Sequence, residues 1–406
     1  MHWLPFGKND HVRSQVRRSV PLVVVAALSA VLGACGALLL AQDGDVSQPP
    51  AAVGRTPTPQ IPTIYEKLEP TVVDVTSALR YNAETAEGTG FVINAAGGLI
   101  LTNNHVIRGA TTVTVTLTSS GRQFPARIVG EDVAADVALL QIQDPAGLAT
   151  AAIGNSSALP PGSPVLAIGN QAGVGGAPTV APGVITGKGQ TIQANDASSS
   201  FTETLHNMLV TNAHVAPGDS GGPLADAQGQ VVGMITAAGT SPPNAGYAIP
   251  INYALAAARL IAVGRPAPGV IIGPRAFLGI VTAGAPGPGA QRRASGLSSP
   301  QGPPPAAAGT PACLQTATAA TLPGHTAPAR SGALVYGVLC GTGADAAGLA
   351  AGDVITSADG RPVTSPGGLT AIVNGCRVGA LVPVTWVSTA GKRQIRLVRL
   401  DLAPAA

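Results

Sequence analysis

A serine displayed on a glycine-rich turn can attack a carbonyl carbon, and residues 218–223 read GDSGGP. Such a turn accepts unusual backbone angles, so neighbouring amides can converge on one point and hold a developing oxyanion. The expectation is Ser220 as nucleophile, with the amides of Gly218 and Ser220 as oxyanion donors. The competing reading is a plain surface turn, since Gly, Asp and Ser are ordinary turn residues. Strand-like runs on both sides of the string favour the first. A serine hydroxyl also needs a base to take its proton and an acid to orient that base. Two histidines offer themselves in similar words, His105 in LTNNHV and His214 in TNAHVAPGDSGGP. His105 follows the strand-like stretch GTGFVINAAGGLILTNN, and Asp136 opens the apolar run VALLQI further on. An acid at the mouth of a strand can point into a cleft while the residues after it anchor it. Asp132 and Asp144 compete for that role, but neither heads such a run. His214 lies on the approach to Ser220 itself and would have to fold back across Pro217 and Gly218, where the oxyanion amides belong. It also lacks an acid placed as Asp136 is for His105.

These residues must be held by β-structure. Charged residues make up 11% and aromatics 3% of the 406 residues, while Gly and Pro number 52 and 36, so cores of Val, Ile, Leu and Ala with many turns are expected. From about residue 61 to 264 short runs such as TVVDVTS, TTVTVTL, VLAIGN, QVVGMITA and YAIPI are punctuated by Gly, Asn and Pro, the spacing of an antiparallel barrel or sandwich. INYALAAARLIAV has helical spacing and closes this domain. Residues 265–402 form a second, smaller β-rich domain: FLGIV as a strand, a low-complexity insertion at about 283–331, then GALVYGVLC, DVITSADGRPV, a helix near 369–373 and a final strand pair. The net charge of +3 and the lack of a basic stripe with interleaved aromatics exclude a nucleic-acid partner from the expectations. The six histidines are scattered and no C-x-x-C occurs, so no metal or cofactor is expected. His206 and His325 fall in polar or Pro-rich stretches and read as surface residues. Of the four cysteines, Cys35 is in the first apolar run; Cys313, Cys340 and Cys376 allow one disulfide whose pairing the spacing does not decide.

The amino terminus carries its own signal. Lys8, Arg13, Arg17 and Arg18 precede an uncharged run over residues 20–41 that ends before Asp43. A helix of that length covers ~33 Å, enough for a bilayer core of ~30 Å. The expectation is a cytoplasmic basic tail at 1–19, a transmembrane helix at 20–41, a Pro-rich linker at 42–60 and everything beyond it outside the plasma membrane. A cleaved signal peptide and a lipid-anchored Cys35 in LGAC are the rivals. The apolar run continuing through Leu38, Leu39 and Leu40 favours the uncleaved anchor.

The strings GTGFVI, LTNNHV, ADVALLQI, IGN, PGVITG, PGDSGGPL, QVVGMIT and GYAIPI resemble, in order, the protease domain of the HtrA family of serine proteases. The final domain resembles the PDZ domain that follows it there. The resemblance implies a mainly β chain: a chymotrypsin-like double β-barrel, with His105, Asp136 and Ser220 as its triad, then a PDZ-like domain. Asp219 departs from the Asn the family often has; Asp is usual in the wider clan. In that clan the position of His214 is near the floor of the S1 pocket, where a protonated imidazole would favour an acidic P1 side chain; the alternative is an ordinary polar residue on a loop wall. Phe277-Leu278-Gly279-Ile280 resembles the PDZ loop whose amides capture a peptide's terminal carboxylate as the peptide adds a strand. The function implied is a membrane-tethered endopeptidase acting on misfolded or signalling proteins outside the cytoplasm, assembled as a homotrimer by family precedent. The alternative is a catalytically silent PDZ scaffold that recruits C-terminal peptides.

Overall fold

Burial alternates along Thr112–Leu117, whereas every residue of Gly246–Pro250 is buried, so some strands face one packed layer and others two. The computed structural model describes residues 61–82, 84–195, 202–238, 245–282 and 313–406, all in one compact unit, Pro57–Ala406. The segment 20–41 expected to cross a membrane lies outside the described residues, and among them no helix is long and apolar enough to do so.

After helix α1 (Ile61–Leu68) come β1 (Val72–Leu79), β2 (Glu84–Asn94) and β3 (Leu99–Thr102), then the one-turn helix α2 (Asn104–Ile107). They are followed by β4 (Thr112–Leu117), β5 (Gln123–Asp132) and β6 (Val137–Ile142). These strands run in the order β5-β4-β1-β2-β3-β6, and the pairing of β5 with β6 closes them on themselves. A second, closed barrel follows: β7 (Pro164–Gly169), β8 (Thr179–Asn195), β9 (Thr202–Thr211), β10 (Pro223–Asp226), β11 (Val231–Ala238) and β12 (Gly246–Pro250). Helix α3 (Ile251–Ala262) buries Ile251, Ala254, Ala257, Ala258 and Ile261, the i, i+3, i+4 stripe its sequence implies. That stripe joins Phe91, Leu101 and Leu139 of the first barrel and Ile168, Met234 and Ile249 of the second in one core cluster, so the barrels are packed together rather than merely connected. The chain then adds β13 (Val270–Ile272) to the free side of β5.

The last domain opens with β14 (Ala276–Phe277) and β15 (Ile280–Thr282). FLGIV is thus two strands, where the sequence suggested one. Gly279 breaks it, at φ +85°, with its carbonyl accepting from the Leu339 amide and no room for a Cβ against Thr342. Then follow β16 (Ala333–Val338), α4 (Gly343–Ala347), β17 (Val354–Ala358), β18 (Arg361–Pro362), α5 (Pro366–Asn374), β19 (Leu381–Val387), β20 (Arg393–Arg399) and β21 (Asp401–Leu402). The sheet runs β15-β16-β17-β19-β20, with β15 at its edge, over a core that includes Val335, Ile355, Leu369, Val384 and Trp386. Of the expected insertion at 283–331, residues 313–331 are described and are held against the rest of the chain. From Cys313 the chain is tied down by a Cys313–Cys340 disulfide, by Leu314 N–H to Val338 O (2.6 Å) and by Ala317 N–H to Tyr81 O (3.0 Å). Residues 283–312 lie outside the described ones. Cys376 is free.

Candidate active site

The close approach of the two barrels begins with GTG. A Cβ on Gly88 would strike Val106 and come within 3.1 Å of Ser220 O, so only glycine lets β2 lie this close to both α2 and the GDSGGP turn. Next to it Thr89 ties the turn down: its N–H donates to Ser220 O (2.8 Å), its hydroxyl donates to Gly218 O (2.7 Å), and the Thr89 Oγ1 in turn accepts from Asn170 N–H (2.9 Å).

His105 sits on α2. Asn103 Nδ2 donates to Asp136 O (2.9 Å), the His105 N–H donates to Asp136 Oδ1 (2.9 Å), and His105 Nδ1 is 2.9 Å from Asp136 Oδ2. Asp136 is fully buried and holds a left-handed backbone, φ +53°, which a non-glycine residue keeps only where surrounding bonds enforce it. Thr236 on β11 supplies a further donor, its hydroxyl 2.5 Å from Asp136 Oδ2. Burial alone would push the Asp136 carboxyl up, but the His105 charge and hydrogen bonds, with the Thr236 hydroxyl, hold it below the ordinary aspartate value. Burial likewise works to lower His105, and the Asp136 charge and hydrogen bond, with a smaller push from Glu203, overcome it and hold the imidazole above its ordinary value. The Nδ1 of His105 is therefore committed to Asp136. Asp132 instead accepts the Ala135 amide (3.1 Å) in its own turn, and Asp144 is exposed on a loop.

Ser220 follows Gly218 and Asp219 on the turn. Its hydroxyl donates to Thr236 O (3.1 Å), and among the described residues it makes no hydrogen bond to His105. Thr236 thus meets both partners, the acid through its hydroxyl and the nucleophile through its carbonyl. The turn's amides are directed by the neighbouring loop. Ala172 N–H donates to Pro217 O (2.8 Å), which aims the N–H of the Pro217–Gly218 peptide the opposite way. The amides of Gly218 and Ser220 donate to no described acceptor, and Gly218 stands at φ +96°. Both are free to bind an anion.

Two charged residues escaped the sequence reading. Arg108, at the end of α2, pairs with Glu203 on β9 at 2.8 Å. Burial first, then the Asp136 charge, push the Glu203 carboxyl up to about 7 against the opposing pull of Arg108. Donor atoms of His105, Asp136 and Glu203 lie within 4.8 Å of one another. Their bonds to each other, to Thr236 and to Arg108 make this an acid–base network in which Arg108 already supplies the cation. Nothing in LTNNHVIRG marks Arg108 as a partner of a residue 95 positions away.

His214 is exposed and lines a 340 Å³ pocket with Gly169, Thr179, Pro182, Asn212 and Asp219. None of His105, Asp136 and Ser220 lines it. Asp219 is buried, accepts the Ala216 amide on Oδ2 (2.9 Å) and leaves Oδ1 without a partner. In the last domain, Phe277 packs against Tyr81 with ring centroids 5.5 Å apart and the rings tilted by 54°, Leu278 is buried, and the amides of Leu278 and Gly279 donate to no described acceptor. They lead directly into the edge strand β15.

The trypsin-like peptidase domain family matches residues 88–234, which include His105, Asp136 and Ser220, and the PDZ domain family matches residues 321–394. The periplasmic pH-dependent serine endoprotease DegQ of Escherichia coli is 34% identical over 68% of this chain and 51% of its own length. The chain is HtrA-like. The serine protease PepD of Mycobacterium tuberculosis is 29% identical over 95% of this chain and 78% of its own length. The solved HtrA-type protease AlgW with tripeptide is 26% identical, with a TM-score of 0.44, over 86% of this chain and 99% of that one. The HtrA-like chain spans about half the length of several of the curated relatives it matches, DegQ and DegP among them. The PDZ match begins after Phe277–Ile280, so the expected carboxylate loop lies outside the matched residues.

Proposed function

We propose that this chain is a serine-type endopeptidase that cleaves peptide bonds by way of an acyl-enzyme on Ser220. The observation that carries the reading is the buried Asp136 carboxylate, 2.9 Å from His105 Nδ1 and joined through Thr236 to the Ser220 hydroxyl. With Nδ1–H given to Asp136, the other ring nitrogen is left as the base. The Ser220 hydroxyl turns from Thr236 O toward it; such bonds tighten only when substrate binds. Its proton passes to His105 as Oγ bonds to the scissile carbonyl carbon, and the carbonyl electron pair moves to oxygen, facing the Gly218 and Ser220 amides. His105 then gives the proton to the leaving amine as the C–N bond breaks. Water repeats the sequence on the ester, returning Ser220 and releasing the acid product.

The Cys313–Cys340 disulfide and the periplasmic relatives support action outside the cytoplasm, on extracytoplasmic proteins. The free edge of β15 and the unengaged Leu278 and Gly279 amides support capture of C-terminal peptides along Phe277–Ile280. Tethering by residues 20–41 rests on their length and basic flank, and a homotrimer on the family resemblance. The bond from Ser220 Oγ to Thr236 O favours a second reading, a protease at rest or a silent scaffold that recruits peptides. One experiment separates them: labelling of the full chain by a fluorophosphonate, with and without a C-terminal peptide library. Labelling that is lost in Ser220→Ala is expected. Equal labelling of Ser220→Ala refutes the nucleophile, and no labelling under either condition leaves the scaffold.

A further inference from the structure

The last four residues of this sequence reach the active-site helix. After β21 pairs with β14, Ala403 N–H donates to Arg275 O (2.8 Å) and Arg275 Nη2 donates to Pro404 O (3.3 Å). The chain then runs alongside the segment that follows His105: Gly109 N–H donates to Ala405 O (2.9 Å) and Ala405 N–H to Ala110 O (3.0 Å). Ala406 is gripped from two sides, its N–H donating to Glu131 Oε1 and its carbonyl accepting from Asn104 Nδ2, both at 2.9 Å. Asn104 is fully buried and immediately precedes His105, and Glu131 is 2% exposed. Ala405 packs on the cluster that holds Val106, Ile107 and Ala110.

We propose that residues 403–406 form a strap that positions the active-site base, with Asn104 and Glu131 as its positioning residues. The inference rests on His105 as the base. A helix of four residues has little hydrogen bonding of its own to fix its direction. The strap supplies what the helix lacks. Asn103 fixes α2 to Asp136 on one side, Asn104 fixes it to the strap on the other, and Gly109 and Ala110 extend the same attachment past its end. The far end of the strap is anchored by β14 and Arg275. A buried carboxylate such as Glu131, partnered by a backbone amide and by Arg275 at 3.6 Å, gives that grip its directionality. Loss of the strap leaves the Asn103–Asp136 attachment in place but releases the other side of α2, so His105 is misaimed rather than removed. A misplacement of ~1 Å costs about 100-fold in rate.

The test compares the full chain with a chain ending at Leu402, and with Asn104→Ala, Ala405→Pro (which deletes the donor to Ala110), Glu131→Ala and Glu131→Gln. Fluorophosphonate labelling rate, kcat and KM on a fluorescent denatured casein, thermal unfolding, and the NMR signal of the His105 Nδ1 proton are read together. The shortened chain, Asn104→Ala and Ala405→Pro should lose about 10- to 100-fold in kcat and labelling rate with KM within about 2-fold, and broaden or lose the Nδ1 proton signal. Glu131→Gln, which keeps an oxygen acceptor, should recover most of what Glu131→Ala loses. Labelling within 2-fold of the full chain and an unchanged Nδ1 signal in a folded Ala405→Pro protein would overturn the strap. Should the full chain fail to label at all, the base assignment falls, and the proton signal alone still decides whether 403–406 orient the imidazole.

Discussion

Replacing Gly218 by alanine tests the oxyanion site at its most constrained point. Gly218 stands at φ +96°, a conformation that costs an L-residue roughly 1–2 kcal/mol. A methyl group there would also overlap Asn170 O and sit 2.9 Å from the Ala172 and Gly173 nitrogens. Those atoms belong to the loop that fixes Pro217 O through the Ala172 amide, so the Pro217–Gly218 peptide has to turn or move away. Either response takes the Gly218 N–H off the point it shares with the Ser220 N–H. Loss of one oxyanion donor costs about 100- to 1,000-fold in kcat, or about 3–4 kcal/mol of transition-state stabilisation. Backbone strain adds only the first 1–2 kcal/mol to the stability deficit. The two effects therefore separate. Initial rates on a peptide ester should show kcat down by about two to three orders of magnitude with KM changed by less than about 3-fold, while urea unfolding shows a modest loss. A folded Gly218→Ala enzyme with kcat within 3-fold of wild type would refute the assignment of this amide.

Thr236→Val keeps the shape and removes the hydroxyl donor to Asp136; a charge-assisted bond of this kind is worth about 1.5–3 kcal/mol, so urea unfolding at neutral pH should show a loss of that order and kcat/KM should fall about 10-fold or more. Because folding lowers the Asp136 pKa below its ordinary value of 3.8, the stability deficit is fully present above that value and fades as pH falls through the lowered one; an unchanged urea midpoint at pH 7 would sink the hub role of Thr236. Glu203→Gln removes a carboxyl whose pKa is raised from 4.5 to about 7, a group that stabilises the fold when protonated and loses that contribution as pH rises through 7. The variant should gain on wild type progressively between those pH values, by an amount on the order of 1 kcal/mol once solvent screening is counted. The acid limb of kcat/KM should move to lower pH as His105 loses the Glu203 charge, and a superimposable profile would show that Glu203 does not reach the base.

The residues that could be read from sequence are those whose job is local. GDSGGP must be a turn of small residues wherever it occurs, LTNNHV ends a strand at a helix, and the helical spacing of INYALAAARLIAV needs no partner to be recognised. The residues that could not be read act at a distance. Thr236 looks like any threonine on a strand, because its value comes from Asp136 lying opposite it across the interface between the barrels. Arg108 and Glu203 are ordinary surface charges until the β8–β9 hairpin folds over α2. Asp136 can be nominated from its place before VALLQI, but its left-handed backbone cannot, since neighbouring bonds impose it. The closing run LAPAA has no pattern of its own, and its role lies wholly in the acceptors and donors of residues 104–110 and 131.

The parts that would act together come from different barrels. His105, Asp136 and Thr89 belong to the first; Ser220, Gly218, Thr236 and Glu203 belong to the second. A buried carboxylate is tolerated only when donors meet it, and Asp136 draws them from both sides, two from His105 and one from Thr236. The same holds in reverse for Thr89, which spans the seam to hold Gly218 and Ser220. Opening that seam would therefore strip Asp136 of its Thr236 donor and release the nucleophile turn at once, so even partial separation costs both. That cost falls on the barrels and not on α2, whose short length leaves its direction to be set from outside. Assembly of the acid with the nucleophile and aiming of the base are thus separate requirements, met by different bonds, and a variant can lose one while keeping the other.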